Sequence, residues 1–590
     1  MGRARAALFT VITLVLPLLL LTAVEGALRL GGYGRDLEPL FIPAPGRPDY
    51  RQANPEAVKR FFVDPAAAPN VSIETAYFKA EKAPGAFRLI VQGASSAAGF
   101  PYGLGASLAG MLEQRLRRAY PQREIEVIST AMAAVNTYAL ADFAAEILAE
   151  NPDAIVIYIG HNEYLGILGV GSTLRFASSP WVTRALLSVR ELRLFQALHS
   201  VLTPAIPRSG TLTADDTLMA TVAGEHSIPI DSALYERGID QYRHNLSRLL
   251  ERYADAGVPV FIGTIASNER DQPPFSGQAA RDAFELAKRQ QGQGQWLQAR
   301  ATYQRAKDLD ELRFRAPEVF NDVVRHEAAR TGAAVVDAQS ALALHSANGI
   351  IGADLMLEHV HPNLDGYFWL ADTYFNALLA SALLGAPQVS VDELTARAEI
   401  PVSAIDRWLG EYKVMRIRNA WPFRERSVPT ELPPAASEGE RLAQQLYHQE
   451  INWAQAQDAL RRHAQAQGDA LEYARITLIL ADAFPFVPAL QFDAARALIA
   501  VSRAPDATRY GRRAVELAPQ DLNHLLVHAH AAALSGLRDE AEQSLQRVLE
   551  LDPANETARR ALRQLNAATG GWRLEAGGPT PDPGSPTGNP

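Results

Sequence analysis

Between residues 87 and 337 the chain repeats one alternation, a short apolar run followed by a stretch with helical spacing. The apolar runs fall at 87–92, 124–128, 154–159, 258–263 and 333–337, and the helix-spaced stretches at 104–120, 138–151, 239–255 and 319–331. Strands alternating with helices predict a parallel sheet covered by helices on both faces. Ligands of such sheets sit at the carboxyl ends of the strands. Three of the runs end at a glycine, Gly93, Gly160 and Gly263, and polar residues follow closely after the first two.

Two segments interrupt the alternation. Residues 166–230 place Leu, Trp and Phe among polar residues and read as a lid, a membrane-facing cover or a plain surface excursion. Residues 284–310 read as a helical hairpin, with Ala287, Gly294, Trp296, Ala299, Tyr303 and Ala306 in helical register.

The last third differs in kind. Pro485, Pro519 and Pro553 fall 34 residues apart, Gly468, Ser502 and Gly536 keep the same interval, and Glu516-Leu517-Ala518-Pro519 recurs as Glu550-Leu551-Asp552-Pro553. That period, with small residues at an inter-helix turn and proline at the repeat end, is the tetratricopeptide signature. The first repeat departs from it, with Tyr473 where Ala507 and Ala541 stand in the others. Such arrays bind a peptide or protein segment, or pack on the preceding domain. The tail at 570–590 is dominated by Gly and Pro and is expected to be disordered.

At the other end, residues 6–24 are apolar over a length that crosses a bilayer as a helix. Arg3 and Arg5 precede the run, which favours a cytoplasmic N-terminus. The stretch Ala23-Val24-Glu25-Gly26-Ala27 fits a cleavage site poorly, so an uncleaved single-pass anchor in the inner (cell) membrane is expected, with the remainder extracytoplasmic, in the periplasm. The expected organisation is an anchor at 1–30, a membrane-proximal spacer at 31–84, an α/β domain at 85–390, a linker at 391–435, helical repeats at 436–569 and the tail. A net charge of −9 without a long basic run argues against a nucleic-acid partner. The absence of cysteine excludes disulfides and thiolate catalysis.

Three separated segments carry chemistry: Gly93-Ala94-Ser95, Gly160-His161-Asn162-Glu163 and Glu358-His359-Val360-His361-Pro362. A serine hydroxyl becomes a nucleophile when an imidazole accepts its proton, and a carboxylate holds that imidazole in the right tautomer. The oxyanion then needs preorganised donors, such as an amide side chain. Ser96 is a rival hydroxyl, though the register from Gly93 favours Ser95. Asn162 alone could cap a helix. His359 and His361 form a His-x-His pair, but no third metal ligand accompanies them.

On these blocks, residues 87–383 resemble the SGNH (GDSL-like) hydrolases, and the whole chain resembles their membrane-anchored subgroup with a tetratricopeptide C-terminus. The resemblance implies a flavodoxin-like three-layer α/β/α domain with a parallel sheet, followed by an all-α repeat domain. It implies acyl-ester chemistry without cofactor or metal, by a triad of Ser95, His361 and Glu358. Oxyanion donors would be the Ser95 N–H, the Ala134 N–H (or, less well placed, that of Ala131) and the Asn162 amide. Ala134 would donate from backbone that does not require glycine. Gly160, His161, His359 and Asn268 would line the pocket, with Asn268 and Asp271 equally open to a turn-and-capping role. Two departures stand out. Ala94 replaces the family's Asp, and Glu358 replaces the usual acid with one extra methylene, leaving Asp354 as a fallback. Expected partners are an acyl-ester substrate, the membrane, and a protein or peptide on the repeats. The alternative is a tetratricopeptide assembly scaffold whose α/β domain is inactive or binds carbohydrate.

Overall fold

The computed structural model describes residues 2–175, 179–202 and 218–567, so the tail expected at 570–590 and parts of the 166–230 excursion lie outside the described residues. The chain divides into two compact units, Met1–Asn452 and Trp453–Pro590.

Five strands form the parallel sheet at the heart of the first unit: β4 (Phe87–Gly93), β5 (Ile125–Ser129), β6 (Ala154–Tyr158), β7 (Val260–Gly263) and β8 (Ala334–Val336), after an N-terminal trio, β1 to β3, described below. Their order is β5-β4-β6-β7-β8, with Val91 opposite Ser129 and Gly93 opposite Tyr158. Successive side chains alternate between faces. Ile90, Ile128, Ile155, Ile157 and Ile262 therefore enter one core, with helices at Thr137–Ala149, Ala233–Asp255 and Val319–Thr331. Leu89, Val91, Val127, Val156 and Phe261 enter the other, with helices at Leu108–Ala119, Ala338–Leu344 and Leu364–Ala380. This is the flavodoxin-like α/β/α fold. The chain leaves β4 on one side for β5 and returns across it to β6, which opens a crevice at the carboxyl ends of β4 and β6.

Residues 31–84 are not a spacer. They contain an antiparallel sheet of β1 (Phe41–Ala44), β2 (Arg47–Ala53) and β3 (Tyr77–Lys79). Leu40, Phe41, Val58, Phe61 and Phe78 are buried in the same core as the main sheet. A buried guanidinium fastens the two sheets: Arg88 on β4 donates to Glu126 at 2.8 Å and to the Lys79 carbonyl at 2.8 Å. The linker expected at 391–435 is folded as well, with helices Glu393–Ala398 and Ala404–Arg418, and Ala396, Ile400 and Val402 in the core.

The N-terminal helix α1 (Gly2–Leu30) contains a stretch, Thr13–Leu30, long and apolar enough to cross a membrane, and none of that stretch is buried. After the helices Leu108–Ala119 (α2) and Thr137–Ala149 (α3) that flank the sheet, the excursion contains α4 (Pro180–Val189) and α5 (Arg193–Leu202). The end of α1 is bonded to α5. Glu25 accepts the N–H groups of Arg193 (3.0 Å) and Leu194 (2.8 Å), and Arg29 donates to the Glu191 carbonyl at 3.2 Å.

The hairpin expected at 284–310 is present as helices Gln278–Gly292 and Trp296–Leu309. Its Gly294, Ala299, Tyr303 and Ala306 keep the same offsets as Gly536, Ala541, Leu545 and Val548 of the last repeat, and Ala299, Tyr303 and Ala306 form a small core of their own. It is a tetratricopeptide-like hairpin set inside the α/β unit.

In the second unit, helices Trp453–Gln467 and Ala470–Ala483, Pro488–Ala500 and Ala504–Leu517, and Leu522–Leu534 and Arg538–Leu551 form three pairs, followed by Glu556–Ala567. The turns explain the small residues: Gly468, Ser502 and Gly536 have φ of 71°, 61° and 76°, the left-handed region where a side chain is costly. Ala507 and Ala541 are fully buried, whereas Tyr473 is half-buried beneath the Arg461 guanidinium. The helix Glu438–Tyr447, expected at the head of the repeats, belongs to the first unit.

Candidate active site

Ser95 follows β4 directly. A Cβ at Gly93 would stand 2.4 Å from the Tyr158 carbonyl oxygen, so β4 and β6 approach here only because this residue is glycine. The chain then turns, with the Ala94 carbonyl accepting from Ala97 and Ala98 N–H at 2.9 Å, and Ser95 is left partly exposed. Ser96 is committed elsewhere: it is buried and donates to the Val360 carbonyl at 3.1 Å, tying this turn to the histidine loop.

That loop is a short hairpin, closed by Leu357 N–H on the His361 carbonyl at 2.8 Å. Glu358 folds back into it and accepts the backbone N–H groups of His359 (2.6 Å) and His361 (3.1 Å). Each carboxylate oxygen also takes an imidazole Nδ1, Oε2 that of His359 and Oε1 that of His361. An ionised carboxylate only accepts, so both rings carry their hydrogen on Nδ1. The free Nε2 of His361 then lies 2.7 Å from Ser95 Oγ. Burial disfavours charge on Glu358, but the two imidazoles outweigh it and hold its carboxyl well below the usual range. Burial pulls His359 in turn below the ordinary histidine range, against the pull of Glu358. One carboxylate at the start of the loop thus meets both rings. Asp354, the fallback acid, is occupied by Arg270 (3.0 Å) and the Ala347 N–H (2.7 Å).

The three expected donors sit at the ends of neighbouring strands: Ser95 after β4, Ala134 after β5 and Asn162 after β6. Among the described residues, the Ser95 and Ala134 N–H groups have no intramolecular acceptor. The Ala131 N–H, the less well placed of the two expected in this segment, is held by Ser129 Oγ at 3.3 Å. One expectation fails here. Ala134 has φ of 61°, the left-handed conformation that favours glycine, so this backbone is held at a cost. Asn162 uses one amide hydrogen on the Val135 carbonyl at 3.0 Å and keeps the other. Behind it, the buried Glu163 accepts from Thr137 Oγ1 (2.7 Å) and Gln241 (2.8 Å), and burial pushes its carboxyl up to about 7.

The expected pocket residues serve structure. A Cβ at Gly160 would stand 2.2 Å from Ile265 Cδ1. His161 accepts the Ala316 N–H on Nδ1 and donates from Nε2 to the Ala266 carbonyl, each at 3.2 Å, and burial pushes it down to about 3. Asn268 accepts the Asp271 N–H at 2.9 Å, and Asp271 accepts the Ala353 N–H at 2.7 Å, so both follow the turn-and-capping alternative. His359 instead faces aromatic rings, with Phe275, Phe314 and Phe423 at centroid distances of 5.6, 5.9 and 5.5 Å. On the other side, Phe100 lies 4.7 Å from the His361 ring. Sequence reading missed all four phenylalanines. The one available signal was Trp421-Pro422-Phe423, an aromatic pair in a supposed linker.

No protein-family model and no curated protein matches the chain. Solved structures similar to it fall in two groups. Axe2, an acetylxylan esterase from Geobacillus stearothermophilus, is 16% identical, over 52% of this chain and 99% of that one, with a TM-score of 0.28. The lipase/acylhydrolase from Enterococcus faecalis is 14% identical, over 52% of this chain and 100% of that one, with a TM-score of 0.27. The first TPR domain of the human RPAP3 protein is 25% identical, over 19% of this chain and 89% of that one, with a TM-score of 0.18. These are likenesses of fold, and the chemistry of the site rests on its own geometry.

Proposed function

We propose that the first unit is a serine hydrolase of acyl esters, anchored by α1, with the rest of the chain on the extracytoplasmic side of the inner membrane. The observation that carries the reading is the unbroken line from Ser95 Oγ through His361 to Glu358. Ser95 Oγ attacks the acyl carbonyl while His361 Nε2 takes its proton, and Glu358 stabilises the imidazolium so formed. The oxyanion is received by the Ser95 and Ala134 N–H groups and the spare Asn162 hydrogen. His361 then returns the proton to the departing alcohol, and water or an acceptor hydroxyl resolves the acyl-enzyme. An ester of envelope polysaccharide or lipid suits this placement.

Retention of α1 is supported by Glu25, whose carboxylate holds the first turn of α5 and would be lost from the fold on cleavage beyond it. The second unit is assigned a protein or peptide partner, since stacked helix pairs present one continuous surface.

The test uses the full chain purified in detergent. Wild type should hydrolyse p-nitrophenyl acetate and label with a fluorophosphonate, and Ser95→Ala should lose both. Undiminished hydrolysis in that variant, or an unreactive wild type, would overturn the assignment. An unreactive wild type would leave the scaffold reading in its place.

A further inference from the structure

The helix α5 is amphipathic in the wrong sense for a helix of a water-soluble body. Such a helix turns its apolar stripe to the core and its polar stripe to solvent. In α5 the residues at i, i+3 and i+7 that face the protein are polar. Arg193 pairs with Asp36, Gln196 exchanges bonds with the Arg35 N–H (2.9 Å) and carbonyl (3.0 Å), and Ser200 meets Tyr33 Oη at 2.9 Å. Away from that polar face, Leu198 is 56% and Val201 77% exposed.

The partners on the polar stripe belong to the segment that leaves α1, and Glu25 of α1 holds the first turn of α5. The helix α1 to whose last turns α5 is bonded also has uncovered apolar side chains, from Leu14 to Leu21.

We infer that α5 is a membrane-interface helix, with Leu198 and Val201 seated in the headgroup boundary of the bilayer that α1 crosses. The inference rests on the reading of α1 as an anchor. It gives the excursion between β6 and β7 a function, that of a second, non-spanning contact with lipid which fixes the orientation of the body beside the span.

The chain has no cysteine, so single cysteines report cleanly. Leu18→Cys, Leu198→Cys, Val201→Cys and Leu297→Cys, each in the full chain, would be labelled with an environment-sensitive fluorophore and reconstituted in phosphatidylcholine–phosphatidylglycerol vesicles with or without nitroxide-bearing lipid. Leu297, 82% exposed on the inserted hairpin, is the aqueous control. Labels at 18, 198 and 201 should lose most of their emission to the nitroxide lipid, and the label at 297 should keep it. Quenching at 18 with 198 and 201 behaving like 297 would overturn the interfacial role of α5 while leaving the anchor intact. Absence of quenching at 18 would overturn the anchor, and the inference with it.

Discussion

Ser95 Oγ and His361 Nε2 stand 2.7 Å apart although 266 residues separate them in the chain. The contact is held from both sides. Ser96 ties the serine turn to Val360, and Glu358 ties the histidine ring to the backbone of its own loop. A proton-transfer pair fixed in this way needs little rearrangement before reaction.

Replacing Glu358 by Gln keeps the shape and removes the charge. The amide presents a donor where two imidazoles and two backbone N–H groups need acceptors, so His361 loses the tautomer that leaves Nε2 free. A fall in kcat of roughly 10³–10⁴-fold with little change in KM is expected, read from steady-state ester hydrolysis.

Asn162→Ala removes one oxyanion donor and one bond to the Val135 carbonyl. Loss of the donor should lower kcat by about 10²–10³-fold. Loss of the bond should lower stability by only about 1 kcal/mol. Comparable KM values and melting curves for variant and wild type would separate the two effects.

Ala134→Gly should stabilise the protein and leave it active. An L-residue in the left-handed region costs about 1–2 kcal/mol, and the entropy glycine brings to the unfolded chain offsets about 0.5–1 of it. Chemical denaturation should show a net gain of roughly 0.5–1 kcal/mol, whereas Ala134→Val should be strongly destabilised.

His161 links stability to pH. Folded, it resists protonation down to about pH 3; unfolded, it titrates near 6.5. Above 6.5 it is neutral in both states and has no effect. Below that the unfolded chain binds a proton that the folded state refuses, so stability falls with pH by up to about 1.4 kcal/mol per unit. Glu163, pushed up to about 7 by burial, acts with the opposite sign. The measurement is therefore the difference between wild type and His161→Asn in denaturation at pH 5 to 7.5, with the variant gaining stability relative to wild type as the pH falls.

The parallel sheet was legible because β4 to β7 are buried on both faces and read as largely apolar runs, and Gly93 and Gly160 mark where β4 and β6 end. The N-terminal sheet was not, for the opposite reason. Its strands are four, seven and three residues long, β1 and β2 contain Pro43 and Pro48, and β2 is mostly polar. Their burial comes from packing against Arg88 and the helix Thr137–Ala149, which no local pattern reveals. Ser95, His361, Glu358, Ala134 and Asn162 could be named from short blocks of sequence. The strain at Ala134 could not, because a left-handed φ leaves no mark when the residue is alanine. The second histidine on Glu358 was also hidden. Only folding the loop shows that one carboxylate meets both His359 and His361.

The ordered path from Leu30 into β1 has a mechanical consequence. Tyr33, Arg35 and Leu40 along that path are each bonded to the folded body, to Ser200, Gln196 and Glu146 respectively. If α1 spans a membrane as proposed, a body joined to it in this manner has no leash. It would drift in two dimensions at one height and sweep Ser95 through a thin slab beside the bilayer, so that any substrate outside that slab must be carried to it.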